Sequence, residues 1–144
     1  MQAMKITLHA TINRPAVVVF DQIADARNEE KWNSTLKNYK LTSSGPIAKG
    51  STFSYENRGN IFTSTLSEYN KPTSLAFSVT GKPMDIQATV RFEAVTPEVT
   101  TVTADYVFMP KGFMKIMLPL FGPMLRSAFN KEFEHFKKFS ESQK

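Results

Sequence analysis

Hydrophobic and polar residues alternate strictly from Met4 to Ile12, with Ile6, Leu8, Ala10 and Ile12 on one face and Lys5, Thr7, His9 and Thr11 on the other. A period of two marks a half-buried strand. Asn13-Arg14-Pro15 then reads as a helix entrance, since proline is tolerated in a first turn, and Ala16, Val19, Phe20 and Ile23 follow at helical spacing. The polar run Asp25 to Lys31 predicts a second short helix leading to Trp32, the single tryptophan. Strand patterns return over 36–43, 51–58, 61–69, 74–80, 85–95 and 99–108. Turn signals at Ser44-Gly45-Pro46, Arg58-Gly59-Asn60, Asn70-Lys71-Pro72, Gly81-Lys82-Pro83 and Thr96-Pro97 separate them and predict an antiparallel meander. The alternation is clearest where Ile86, Ala88, Val90 and Phe92 oppose Gln87, Thr89, Arg91 and Glu93. It is equally clear where Val102, Ala104, Tyr106 and Phe108 oppose Thr101, Thr103 and Asp105.

From Gly112 to Phe139 the period becomes helical and the residues are rich in Phe, Met and Leu, interrupted by Pro119 and Pro123. The later part carries Leu125, Phe129, Phe133 and Phe136 at spacings of four, four and three, with Lys131, Glu134, Lys137 and Lys138 on other faces. That is a helix built to pack on a sheet. The earlier part, Phe113 to Leu125, is apolar nearly all round, and its prolines predict a helix in two parts. Such a segment is either buried on every side or borders a space that protein does not fill.

The order strand, two short helices, six strands, long C-terminal helix is that of the helix-grip fold. Ile12-Asn13-Arg14-Pro15-Ala16-Val17-Val18-Val19-Phe20 with Ile23-Ala24-Asp25, then Lys31-Trp32-Asn33, resembles the opening of the START-like or SRPBCC superfamily, especially its polyketide cyclase/dehydrase branch. Glu68-Tyr69-Asn70-Lys71-Pro72 with Leu75-Ala76-Phe77 is similar to the turn between the fourth and fifth strands of those proteins. The resemblance spans essentially the whole chain. It departs at Asn33-Ser34, where many members place a proline close to the tryptophan. The fold it implies is α+β: a curved seven-stranded antiparallel sheet wrapped around the long C-terminal helix, with two short helices after the first strand. It also implies a cavity between sheet and helix that receives apolar molecules. These motifs position a helix and a turn and contain no catalytic group, so the fold leaves the ligand open.

Composition narrows the rest. The 144 residues fit one domain spanning 1–144, and 41% hydrophobic with 22% charged residues is ordinary for a globular chain. No apolar stretch reaches the ~20 residues of a membrane span, and the N-terminus lacks a secretory signal pattern, so the expectation is a cytoplasmic protein without stable membrane insertion. The absence of cysteine excludes thiolate nucleophiles, disulfides and cysteine metal sites. The net charge of +5 is spread along the chain, and no basic cluster is interleaved with exposed aromatics, which argues against nucleic acid as a partner.

Inward parity nominates a cavity lining of Phe53, Tyr55, Phe62, Leu66, Phe77, Val79, Ala88, Val90, Phe92, Val102, Ala104, Tyr106 and Phe108, faced by Met117, Phe121, Met124 and Leu125. For any one of them core packing is the competing reading. The methionines at 114, 117 and 124 suit a surface that adapts to different shapes. Tyr55, Tyr106 and Ser64 are the polar groups expected to point inward, where a buried hydroxyl needs a partner, and Trp32 is expected to cap one end. His9 falls on the polar parity of the first strand and His135 beside the apolar stripe of the last helix; neither has a ligand-spaced partner, so no metal and no cofactor is expected. Asp85, Asp105, Arg58 and Arg91 are the remaining polar candidates, but parity sends Asp105 and Arg91 outward.

The leading expectation is binding or transport of a small hydrophobic molecule by a monomer or homodimer, with no residue assigned to catalysis. Gly112 to Leu125 would act as a gate freed by Gly112 and Gly122. The alternative is a polyketide cyclase or aromatase-type enzyme in which Tyr55, Tyr106 or an arginine transfers protons. A second alternative is a membrane-surface or protein-interaction role for the Met and Phe stretch flanked by Lys111 and Lys115.

Overall fold

The computed structural model describes residues 3–143. In chain order the elements are β1 (Met4–Ile12), α1 (Ala16–Ala24), a 3₁₀ turn (Ala26–Lys31), β2 (Leu36–Leu41), β3 (Thr52–Asn57), β4 (Asn60–Asn70), β5 (Ser74–Gly81), β6 (Met84–Thr96), β7 (Val99–Pro110) and α2 (Met114–Ser142). The strands form one seven-stranded antiparallel sheet in the order β1-β7-β6-β5-β4-β3-β2. This is the helix-grip arrangement expected: neighbours in sequence are neighbours in the sheet, except that β1 closes onto β7.

The period-two pattern sets which face is buried. Ile6, Leu8 and Ile12 of β1 are buried while Lys5, Thr7, His9 and Thr11 face solvent. On the solvent side the cross-strand neighbours pair: Arg91 Nη1 meets Asp105 Oδ2 at 2.9 Å, and Thr7 Oγ1 donates to Asp105 Oδ1 at 2.7 Å. The outward parity assigned to Arg91 and Asp105 therefore matches their positions.

Two short elements tie the sheet to the helices. Pro15, with φ −59°, precedes α1, whose Val19, Phe20 and Ala24 are buried. Phe20 sits between Tyr69 and Phe92, each ring centroid 5.2 Å away, and so pins α1 to the sheet. Asp25 ends α1 and caps the 3₁₀ turn by accepting from the Arg27 N–H at 3.2 Å, while the Arg27 guanidinium pairs with both its oxygens. The Arg27 contact holds the Asp25 carboxyl below its ordinary range. Trp32 then packs edge-on against Phe136 of α2 at 5.3 Å.

The C-terminal helix departs from expectation in one respect. It is one continuous helix of 29 residues with Pro119 and Pro123 inside it, not two parts. Each proline removes one bond to the carbonyl four residues back, on Lys115 and Pro119. Both residues are exposed, so water can serve the freed carbonyls and the turn need not break. Its first half is not buried on every side and instead borders a space that protein does not fill, the second of the two alternatives. Its residues Phe113, Ile116, Leu120 and Met124 are 70%, 63%, 69% and 68% exposed, while Met114, Met117, Leu118 and Leu125 face the sheet. Gly112 does occupy the left-handed region (φ +54°) where the chain enters α2. Gly122, in contrast, is buried against Met4, whose Cε lies 3.4 Å from where a Cβ would stand, so it serves close packing and not hinge freedom.

Candidate functional site

Between the concave face of the sheet and α2 lies a cavity of about 570 Å³, within the range of small-molecule sites. Its floor comes from β3 to β7, where alternation turns Tyr55, Phe62, Ser64, Phe77, Val79, Ala88, Val90, Ala104, Tyr106 and Phe108 inward. Its roof is α2, from which Met117 and Leu125 project, while Phe121 and Met124, largely exposed, stand at its open edge, and Trp32 stands at the end formed by the 3₁₀ turn. Small Ala88 and Ala104 keep the middle of the floor low, while the ends of the strands carry rings. A chain of stacked rings, Tyr39 on Tyr55 (4.7 Å) and Tyr55 on Phe62 (5.3 Å), forms one wall. Phe129 closes edge-on over Tyr106 (5.1 Å) and Phe108 (5.2 Å).

Four residues expected in the lining lie elsewhere, Val102 among them. Phe53 is fully buried against Tyr39 and Phe77, behind the cavity wall. Leu66 is fully buried in the main core, where β4 shifts register between Leu66 and Glu68, and Phe92 is held under α1 by Phe20. All three have the inward parity. They lie where neighbouring side chains fill the space, which parity by itself does not reveal. Val102 is core for the same reason.

The structure adds polar residues that the patterns did not nominate. Glu29 of the 3₁₀ turn, Tyr39 of β2 and Glu132 of α2 all line the cavity. Tyr39 Oη donates to Glu29 Oε1 at 3.3 Å, and the Tyr39 N–H donates to Glu30 Oε1 at 3.1 Å. Burial pushes the Glu29 carboxyl up to about 7; the Tyr39 hydrogen bond works against this and repulsion from Glu132 works with it. The hydroxyls of Tyr39, Tyr55 and Tyr106 are all raised, first by burial and then by the charge of Glu29. Glu132 Oε2 and the Trp32 indole N–H are buried with no hydrogen-bond partner among the described residues. His135, expected to lack a partner at ligand spacing, has its Nδ1 3.6 Å from Glu132 Oε2, because residues three apart share a helix face. His9 stays on the exposed face, 3.3 Å from Thr103 Oγ1.

The signals for the missed residues are faint but present. Glu132 falls between Phe129 and Phe136 at spacings of three and four, so it is a charge on an apolar stripe. Tyr39 follows Leu36 by three residues, an odd offset that would send it outward in a regular strand. Asn38, at φ 54°, and the register shift between Lys37 and Lys40 turn it back in. Glu29 lies in a polar run with nothing in its pattern to single it out.

Chemically, the site is an apolar chamber with one polar pole of carboxyls and phenols. Among the described residues no helix is long and apolar enough to cross a membrane. Comparison of the fold with solved structures finds an aromatase/cyclase, ZhuI, from Streptomyces sp. R1128, with a TM-score of 0.80 at 12% identity over 97% of this chain and 94% of that one. A START superfamily protein from Mycobacterium smegmatis superposes with a TM-score of 0.73 at 15% identity, over 95% of this chain and 94% of that one. An HSP90 activator from Plasmodium falciparum matches more loosely, with a TM-score of 0.59 at 17% identity over 76% of each chain. No curated protein sequence matches. At these identities the superpositions speak for the fold alone. The sequence itself matches the family profile described as polyketide cyclase / dehydrase and lipid transport across residues 3–141. With that match covering nearly its whole length, the chain belongs to the polyketide cyclase/dehydrase and lipid transport family.

Proposed function

We propose that the protein binds, and in solution carries, a small hydrophobic molecule in the chamber between the sheet and α2. The observation that carries this reading is the cavity of about 570 Å³ with its predominantly apolar lining. Apolar burial supplies affinity, at ~25 cal/mol per Å² of ligand surface removed from water. The exposed face of α2 around Phe113, Ile116, Leu120 and Met124 fits the same role, since a carrier must collect its cargo from an apolar phase. Gly112 marks the point about which the start of α2 would move to admit it.

Mass spectrometry of the natively purified protein tests this. Wild type is expected to release a bound small molecule on solvent extraction. Ala104→Phe, which places a ring on the low part of the floor, is expected to fold and come through empty. A wild-type protein that carries nothing, and that no apolar ligand stabilises by the ~2.7 kcal/mol due at a hundredfold excess over its dissociation constant, overturns the reading.

A second reading, catalysis of the cyclase type, is favoured by the phenols of Tyr55 and Tyr106 beside Glu29, a carboxyl placed to exchange protons near neutral pH. It predicts that Tyr106→Phe abolishes turnover of a polyketide chain and leaves its binding intact. Equal turnover in both proteins removes that reading.

A further inference from the structure

One pole of the chamber holds polar groups that an apolar ligand body leaves unserved. Glu29 comes from the 3₁₀ turn, Glu132 from α2, Tyr39 from β2 and Tyr55 from β3, and Glu29 lies within electrostatic reach of the other three. Buried polar groups in folded proteins are nearly always paired. Here Glu132 Oε2 is buried without a hydrogen-bond partner. The Tyr55 hydroxyl makes no hydrogen bond to the described residues, and its side chain lines the chamber.

The charges around this pole are unbalanced. Arg58 is the one cationic side chain in the lining, but it stands exposed on the β3–β4 turn and forms no ion pair with either carboxyl among the described residues. Lys31 lies over the Phe139 ring, 6.0 Å from its centroid. His135, 43% exposed, brings its Nδ1 to 3.6 Å from Glu132 Oε2. Among the described residues Glu29 forms no ion pair, and its side chain meets the Tyr39 hydroxyl at 3.3 Å. Beside the two carboxyls rises the Tyr39–Tyr55–Phe62 stack, whose interplanar angles of 17° and 9° make it a nearly continuous slab. Carboxylates together with aromatic rings are the surroundings that favour an organic cation.

We propose that this pole is an ammonium site: the chamber takes an apolar molecule bearing a single amine, which donates to Glu29, Glu132 and the Tyr55 hydroxyl beside the ring stack. Three acceptors meet the three N–H bonds of a primary ammonium. A carboxylate in the same place meets two like charges. A neutral alcohol gains one hydrogen bond and leaves the carboxyls uncompensated. This deepens the ligand-binding reading and depends on it.

The test compares octylamine, octanol and octanoate, which share one apolar body, by calorimetric titration of wild type, Glu29→Gln and Glu132→Gln. At about pH 8, octylamine is expected to bind roughly tenfold more tightly than octanol, and octanoate more weakly than either. The amine preference should shrink as the pH falls below about 7 and Glu29 takes up a proton. Glu29→Gln should bring amine and alcohol to within about twofold of each other while octanol affinity is retained, and Glu132→Gln should lower the preference in the same direction. Wild type that binds octanol or octanoate as tightly as octylamine overturns the ammonium site and leaves the chamber reading standing. Binding of none of the three overturns both. A preference that survives both substitutions also overturns the assignment.

Discussion

Replacing Glu29 with glutamine should make the protein more stable above neutral pH and leave it unchanged in acid. The fold raises this carboxyl to about 7 because burial removes water from its ionised form, and in the unfolded chain it ionises near 4.5. Between those values the unfolded chain has lost the proton and the folded chain still holds it. Folded-state stability therefore declines as the pH climbs through that window and levels off above it. At ~1.4 kcal/mol per pH unit, the full displacement corresponds to on the order of 3 kcal/mol of destabilisation at about pH 8. Glutamine keeps an oxygen for the Tyr39 hydroxyl and never ionises, so Glu29→Gln should recover most of that amount. At about 2–4 °C per kcal/mol for a chain of this length, its melting temperature should exceed wild type by roughly 6–12 °C at about pH 8. The two should converge near pH 4.5, where both states of the wild-type carboxyl are protonated. Thermal unfolding followed by circular dichroism at several pH values measures this directly. A difference that does not vary with pH, or a variant that melts below wild type at pH 8 (about one unit above the raised value), refutes the reasoning.

The remaining predictions concern the walls of the chamber and its anchor. Gly81 pairs with Phe62 across β4 and β5, and a Cβ on it would collide with the Phe62 ring, itself stacked on Tyr55. Gly81→Ala should therefore cost about 1–3 kcal/mol in urea unfolding and alter ligand affinity; a cost below ~0.5 kcal/mol means that the ring moves freely. Phe20→Ala should cost about 3–5 kcal/mol, because it empties the space between Tyr69 and Phe92 and loosens α1 from the sheet; an unchanged unfolding midpoint argues against that anchoring role.

The exposed outer face of α2 bears on how a cargo would reach the chamber. Phe113→Ser combined with Met114→Ser removes one exposed and one inward apolar residue from the start of the helix. If cargo is gathered at a bilayer, wild type should sediment with anionic phospholipid vesicles and the double variant should not. Equal recovery of both in the supernatant discards that route.

Local periodicity was enough to determine the elements and the buried face of the sheet. The period of two in β1, β6 and β7 reports directly which side chains share a face, and turn residues mark each reversal, because both are properties of a few adjacent residues. The candidate lining followed from that parity wherever a strand is regular, as with Tyr55, Ala104 and Tyr106. Parity could not separate Phe53, Leu66 and Phe92 from the true lining. An inward side chain meets either another side chain or empty space, depending on how far α2 stands from the sheet at that point. Continuity of α2 through Pro119 and Pro123 was likewise a tertiary matter, since Lys115 and Pro119, whose carbonyls the prolines free, lie on the exposed side of the helix. The polar pole was the least legible part. Glu29 and Glu132 are far apart in the chain, Tyr39 reaches them through an irregularity at Asn38, and their altered chemistry arises from burial that exists only once the 3₁₀ turn, β2 and α2 have closed around them.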